Sequence, residues 1–520
     1  MNAVSRRVQS VIVPDSAGVL RLSTRGGETA IVTPAAPRLG HRALSLGAAN
    51  AFDFAIQFLL PVVLARCLDT AAFGEYRLLW LVAGTVVAVA TLAMPASLYY
   101  YLPRSDATAK RLYVNQTLIF LVLAGLVSAW VVSSWNPWLP EKLHDLARHE
   151  FVLPAFILLW IVASLLDVLP TAEERVKWQA KATVSLAVLR AVSLSLVAVA
   201  THELGPVLLV LLAFVAFKVA LLVGYVARFH GLRGPVLRWS AFVDQLQYAV
   251  PLGAAGALYG LRTQADQWVV AALFPLGLFA SFSIAAVLGP LMNLFRQSVS
   301  YAFLPTMSRR EATGDTAGLL ELNSRGNIMV GALVFPLFAF AFVFADELVT
   351  IVYTATYLDA APVIRVYIVG IAALVVELSN LTMLLRQAVF VMALNAIALI
   401  LAVALDWYAA VHIGLAGAAV GSVMVIYVDR VATLWRISLL TGVPMRRLQD
   451  WKSLALLVFF ASLSALLAWG MVALFFPGRG LLVRVLVGGA TLALSYAAIG
   501  AMSGMGRAWV ASVWRQQRGG

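Results

Sequence analysis

From about residue 43 to the C-terminal region, apolar runs of about twenty residues alternate with short polar stretches. Each run is long enough to cross a hydrocarbon layer of roughly 30 Å. A soluble core of this length would instead show apolar and polar faces alternating along its elements. The pattern predicts about fourteen transmembrane helices, starting near residues 43, 79, 112, 151, 183, 205, 248, 277, 327, 363, 388, 414, 453 and 480.

Composition agrees: 62% of the residues are hydrophobic and 12% charged, against roughly 45–50% and 25% for a soluble domain. The formal net charge of +13 does not point to nucleic acid, because the basic residues sit between apolar runs and are not clustered among aromatics. The one cysteine, Cys67, excludes an internal disulfide and a four-cysteine metal site, and is read as a packing residue.

The basic residues also set orientation. Of 38 Lys and Arg, about 26 fall in loops on the side of the N-terminus, about 6 opposite and about 6 within spans. The first set includes Arg104, Lys110, Arg111, Arg175, Lys177, Lys181, Arg228, Arg233, Arg238, Arg309, Arg310, Arg325, Arg446, Arg447 and Lys452. The positive-inside rule therefore predicts cytoplasmic N- and C-termini. Residues 1–42 contain arginines but no signal-length apolar stretch, and are read as a disordered cytoplasmic tail.

Ser45-Leu46-Gly47-Ala48-Ala49 aligns with Pro251-Leu252-Gly253-Ala254-Ala255, and the register holds without gaps to Phe73-Gly74-Glu75-Tyr76 over Phe279-Ala280-Ser281-Phe282. The first span thus corresponds to the seventh and the second to the eighth, so the halves run parallel, a recurrent transporter plan. The expected fold is an all-α polytopic membrane protein: an N-terminal lobe over 43–227, a linker over 228–246, a C-terminal lobe over 247–440, and two additional spans over 441–520.

Several segments carry a family resemblance. Leu64-Ala65-Arg66 to Phe73-Gly74-Glu75-Tyr76, read as the first extracytoplasmic turn, resembles the polysaccharide flippases of the superfamily that includes the multidrug and toxin extrusion transporters. Tyr248 to Gly253, Ala265-Asp266, Phe303-Leu304-Pro305, Tyr357 with Ala360-Ala361-Pro362-Val363, and Gly414 to Ala419 follow in the family's order. The resemblance implies a two-lobed bundle enclosing a cavity, with undecaprenyl-diphosphate-linked oligosaccharide and membrane lipid as partners and other polysaccharide assembly proteins expected beside it. No cofactor is implied.

An ionisable side chain near the bilayer centre costs about 2.5–3.5 kcal/mol, so each is expected to face protein or a wet cavity. Arg262 leads the candidates for the diphosphate, since a guanidinium donates parallel charge-assisted hydrogen bonds to phosphate. Asp266, four residues on, is its expected partner, and a structural ion pair is the alternative reading. Arg190, Lys218 and Arg296 complete the candidate cavity set, although Lys218 and Arg296 lie where they can snorkel to the interface. Asp53, Asp266 and Glu377 are candidates for carrying a coupling proton or sodium ion.

Pro95, Pro251, Pro290 and Pro336 fall within spans as candidate kinks, and Gly256/Gly260 and Gly417/Gly421 have close-packing spacing. Three rival functions compete with this reading: a drug exporter with Asp53 as proton carrier, a peptidoglycan-precursor flippase, and a membrane enzyme of glycan assembly. For the enzyme the chain offers no Asp-x-Asp pair, Gly-rich phosphate loop or inserted domain. The cluster of His144, Asp145, His149 and Glu150 lacks metal-ligand spacing and is read as a solvated loop.

Overall fold

The structure, a computed structural model, describes residues 11–14, 20–23, 29–31, 36–137, 151–231 and 234–502. The His144–Glu150 cluster lies outside the described residues. Three short strands, β1 (Val11–Pro14), β2 (Leu20–Ser23) and β3 (Thr29–Ile31), pair antiparallel in that order. They correct the expectation of disorder through residues 1–42. The β-branched run Val11-Ile12-Val13 and alternating Leu20 and Leu22 suit paired strands, and the first helix begins at Ala36.

The remaining described elements are helical. An N-terminal lobe comprises α1 (Ala36–Cys67), α2 (Thr70–Ala90), α3 (Met94–Tyr101), α4 (Ala107–Val131), α5 (Val152–Ala163), α6 (Leu165–Ala172), α7 (Val176–Thr201) and α8 (Leu204–Phe229). A C-terminal lobe comprises α9 (Trp239–Thr263), α10 (Ala265–Leu273), α11 (Leu276–Ala285), α12 (Leu288–Ala312), α13 (Thr316–Val343), α14 (Ala345–Val352), α15 (Ala360–Leu374), α16 (Ser379–Leu384), α17 (Ala388–Ile413) and α18 (Leu415–Thr441). Finally α19 (Trp451–Phe475) and α20 (Leu481–Met502) pack on each other and against α13, outside that lobe.

Eleven of the described helical segments are by themselves long and apolar enough to cross a membrane. The seventh, eighth and tenth spans of the sequence reading fall on broken helices: α9/α10, α11/α12 and α15/α16. The second span starts earlier than read, because Phe73–Tyr76 is not a turn. Asp69 caps α2 by accepting a hydrogen bond from the Ala72 N–H at 2.8 Å, so the helix is nucleated there and holds the motif in its first turns.

The lobes meet along the repeat. Phe73, Tyr76, Phe279 and Phe282, which the internal alignment superposes in pairs, are all buried in one core that crosses the lobe boundary. Arg77 donates to Ser283 Oγ at 3.0 Å and to the Ser283 carbonyl at 3.1 Å, across 206 residues. That separation is the offset that places Ser45 on Pro251. The contact therefore lies where the two parallel halves are related to each other.

Two glycines of the resembling motifs permit this approach. A Cβ on Gly74 would stand 2.2 Å from the Leu276 carbonyl oxygen, and one on Gly253 would stand 2.4 Å from the Leu92 backbone. Leu92 and Ala93 have positive φ angles of 44° and 53° where α2 breaks into α3, a conformation side-chain-bearing residues rarely adopt. Pro95 opens α3 immediately after this break, while Pro251 and Pro336 lie inside continuous helices. Gly417 and Gly421 do sit against the α17 backbone, whereas Gly256 has open space around it.

Further hydrogen bonds tie both ends of the interface. At the end where α8 stops at Phe229 and α9 begins at Trp239, the linker end, Gln245 donates to Ser97 at 2.7 Å and Thr117 at 2.9 Å and accepts from Gln116 at 2.6 Å. At the opposite end, Arg66 donates to the carbonyls of Ile351 and Val352 at the terminus of α14, and the Tyr357 hydroxyl reaches the Ala65 carbonyl at 3.3 Å.

Candidate substrate cavities

Two of the breaks in the C-terminal lobe fall at polar residues, Gln264 and Glu377, and they border a cavity of 510 Å³ lined by α9, α10, α12, α15, α17 and α18. Arg262, on the last turn of α9, forms an ion pair with Asp429 of α18 at 2.8 Å. The expected Arg262–Asp266 partnership does not form. The helix ends at Thr263 and Gln264 departs from helical geometry, so the four-residue spacing no longer places both side chains on one face. Gln264 is held by Thr85 of α2, whose hydroxyl donates to its amide oxygen at 2.9 Å and accepts from Trp268 Nε1 at 2.9 Å.

Asp266 instead accepts from the Tyr367 hydroxyl at 2.6 Å. Close to it lies Asp406, which is fully buried and accepts from Ser422 at 3.1 Å, while its Oδ1 has no hydrogen-bond partner. The two carboxylates interact electrostatically. Asp406 was missed as a sequence candidate although it lies well inside an apolar run, where any carboxylate is a site candidate.

Arg296 does not snorkel. It pairs with Glu377 at 2.5 Å, with its side chain 14% exposed. Glu377 also accepts from the Ser379 N–H at 2.6 Å, and its own N–H donates to Asn327 at 3.0 Å. This expected ion carrier therefore holds together the break between α15 and α16. Arg430 of α18 lines the same cavity. It makes no hydrogen bond or ion pair among the described residues, and its Nε is buried. Glu377, Asp429, Arg262 and Arg296 all act on it electrostatically. This cluster holds three guanidiniums and two carboxylates.

A second cavity of 210 Å³ lies in the N-terminal lobe. Arg190 pairs there with Asp53 at 3.2 Å, and Gln57 donates to the other oxygen of that carboxylate at 2.6 Å. Lys218 pairs with Asp167 at 2.8 Å and sits 5.0 Å from the centre of the Trp160 ring. Its 7% exposure overturns the snorkelling expectation, because a carboxylate in reach supplies the countercharge that the interface would have provided. Each of the four expected cavity cations thus lines a cavity, and each is matched by a carboxylate.

Two lobes joined by a parallel repeat, each enclosing a polar cavity inside apolar helices, define a polytopic membrane protein. The sequence profile of the family described as "Polysaccharide biosynthesis protein" matches residues 63–362, and the chain belongs to that family. Comparison with curated proteins gives no match. Among solved structures, the lipid II flippase MurJ in an inward closed conformation is similar with a TM-score of 0.67 at 12% identity, covering 88% of this chain and 98% of that one. An inward-facing multidrug resistance MATE transporter of the MOP superfamily gives a TM-score of 0.56 at 12% identity, with coverages of 75% and 96%. A MOP superfamily transporter from Pyrococcus furiosus gives 0.51 at 13% identity, with coverages of 77% and 95%. At these identities the likeness is one of fold.

Proposed function

We propose that this protein flips a polyprenyl-diphosphate-linked oligosaccharide between the leaflets of the bacterial cytoplasmic membrane, with the linker end of the molecule cytoplasmic. The observation that carries this reading is the Arg430 side chain, which among the described residues has no ion-pair partner and lines the cavity beside the Arg262–Asp429 and Arg296–Glu377 pairs. A guanidinium in a low-dielectric site is a strong ligand for a diphosphate. The incoming anion lands on Arg430 and competes with Asp429 for Arg262, while the prenyl tail stays in lipid.

Alternating access then requires one set of interlobe contacts to open while the other holds. Binding and reorientation suffice, and no bond is made or broken in the substrate. Asp53 and the Asp266–Asp406 pair are the carboxylates we assign to coupling with a proton or sodium gradient. That assignment is abandoned if transport in proteoliposomes is unchanged when both gradients are collapsed.

The deciding experiment measures lipid-linked oligosaccharide in cells depleted of the protein. Accumulation in the inner leaflet, reversed by wild type and poorly by Arg430→Gln, supports flipping. No accumulation, accompanied by altered drug resistance, replaces this reading with drug export.

A further inference from the structure

The N-terminal cavity differs from the C-terminal one in a way that assigns it a different part of the substrate. Its two ion pairs, Arg190–Asp53 and Lys218–Asp167, are matched one to one. A charge-neutral site of this kind has little to offer an anion. It does offer donors and acceptors side by side, which is what vicinal hydroxyl groups bind.

Two indoles add the second element. Trp80 and Trp160 both line the cavity and are only partly buried, with ring centres 5.0 Å apart and planes at 83°. Phe156 stacks on Trp160 at 5.7 Å, fixing its orientation. Indoles present a rigid apolar face beside a polar edge at low entropic cost, which suits the C–H face of a pyranose ring.

Three lining groups are also left over. Among the described residues, Trp80 Nε1, Gln179 Oε1 and Arg190 Nε are buried without hydrogen-bond partners. An unmet buried polar atom is costly, and a ligand that bonds to it recovers that cost. The cavity's 210 Å³ is below the roughly 300–1,000 Å³ of drug-sized sites, which suits one sugar ring and not a whole oligosaccharide.

We infer that the N-terminal cavity is a glycan subsite, in which Trp160 and Trp80 pack on one sugar ring and Gln179, Asp53 and Arg190 bond its hydroxyls. The inference rests on the flippase reading and divides its substrate: the C-terminal arginines take the diphosphate, and the N-terminal indoles take a sugar.

The test measures binding to purified full-length protein in nanodiscs. The probes are the lipid-linked glycan that accumulates in depleted cells and undecaprenyl diphosphate without sugar. Wild type is expected to bind the glycan form at least tenfold more tightly. Trp160→Ala and Gln179→Leu should lose that increment while binding undecaprenyl diphosphate as wild type does. Arg430→Gln should weaken both ligands. If Trp160→Ala unfolds in melting assays, Gln179→Leu decides alone. Equal wild-type binding of both probes, or variants that retain the increment or weaken both probes alike, overturns the glycan subsite and leaves the flippase reading standing. Failure of wild type to bind either probe overturns both.

Discussion

The Arg77 guanidinium donates two hydrogen bonds to Ser283, the residue that the internal repeat places on Arg77 itself. Equivalent positions can touch only beside the axis relating the halves. Lobes that rock about that axis move least at this point, which makes Arg77 a suitable tie for the end of the molecule away from the linker. With Arg77→Ala, cysteines introduced into the cavities of a Cys67→Ala background should react several-fold faster with an impermeant maleimide added from that side. Unchanged labelling removes Arg77 from the gate.

At the linker end the reverse change is expected. Gln245 is fully buried and satisfies Ser97, Thr117 and Gln116 together. Gln245→Leu strands these groups at about 1–3 kcal/mol. Labelling from the linker side should rise, with no rise from the other side.

Arg262 and Asp429 are both largely buried, at 13% side-chain exposure each. Arg262→Ala removes the ion-pair partner of Asp429 and should destabilise the protein by less than the about 3–5 kcal/mol of an isolated buried pair, because Arg430 acts on the same carboxylate, and Arg262→Gln with Asp429→Asn should recover part of that loss. Thermal melts in detergent distinguish the two. A single variant as stable as wild type places Asp429 in contact with water instead.

Alanine at Gly74 or Gly253 puts a methyl group inside the contact distance of backbone atoms in the other lobe. Neither Leu276 nor Leu92 backbone can yield without moving a helix, so each change should cost about 1–3 kcal/mol by overpacking. Gly256→Ala, which meets open space, is the internal control and should leave the melting temperature unchanged.

Beyond the membrane spans, Glu173 accepts from the Tyr225 hydroxyl and pairs with His230 at 2.7 Å. Burial pushes its pKa up, but hydrogen bonds from His230 and Tyr225, with the charges of His230 and Arg175, outweigh this and hold it below the ordinary value. A carboxyl depressed on folding contributes stability above its unfolded pKa of about 4.3 and loses it as pH falls through the folded value. Wild type should therefore melt above Glu173→Gln at pH 7, and the gap should close below about pH 4. A gap independent of pH assigns the effect to packing.

Membrane insertion is decided by local hydropathy, and so the helical class, eleven of the spans and the parallel repeat were legible in the chain itself, whereas the helix breaks within the seventh, eighth and tenth spans were not. The motifs Phe73–Tyr76 and Tyr248–Gly253, whose order marks the family, were legible too. Their physical purpose was not legible, because it lies in a backbone of the other lobe. The cavity cations Arg190, Lys218, Arg262 and Arg296 were found from sequence because a charge in an apolar run is conspicuous. Their partners were not, since Arg262 meets Asp429 across 167 residues and Arg190 meets Asp53 across 137. A helix break at Gln264 was enough to turn Arg262 away from Asp266. Sequence thus determined which groups had to be buried. Only the packing of distant helices decided which of them were paired, and among the described residues it left the Arg430 side chain without an ion-pair partner, because electrostatic pairing depends on separation in space.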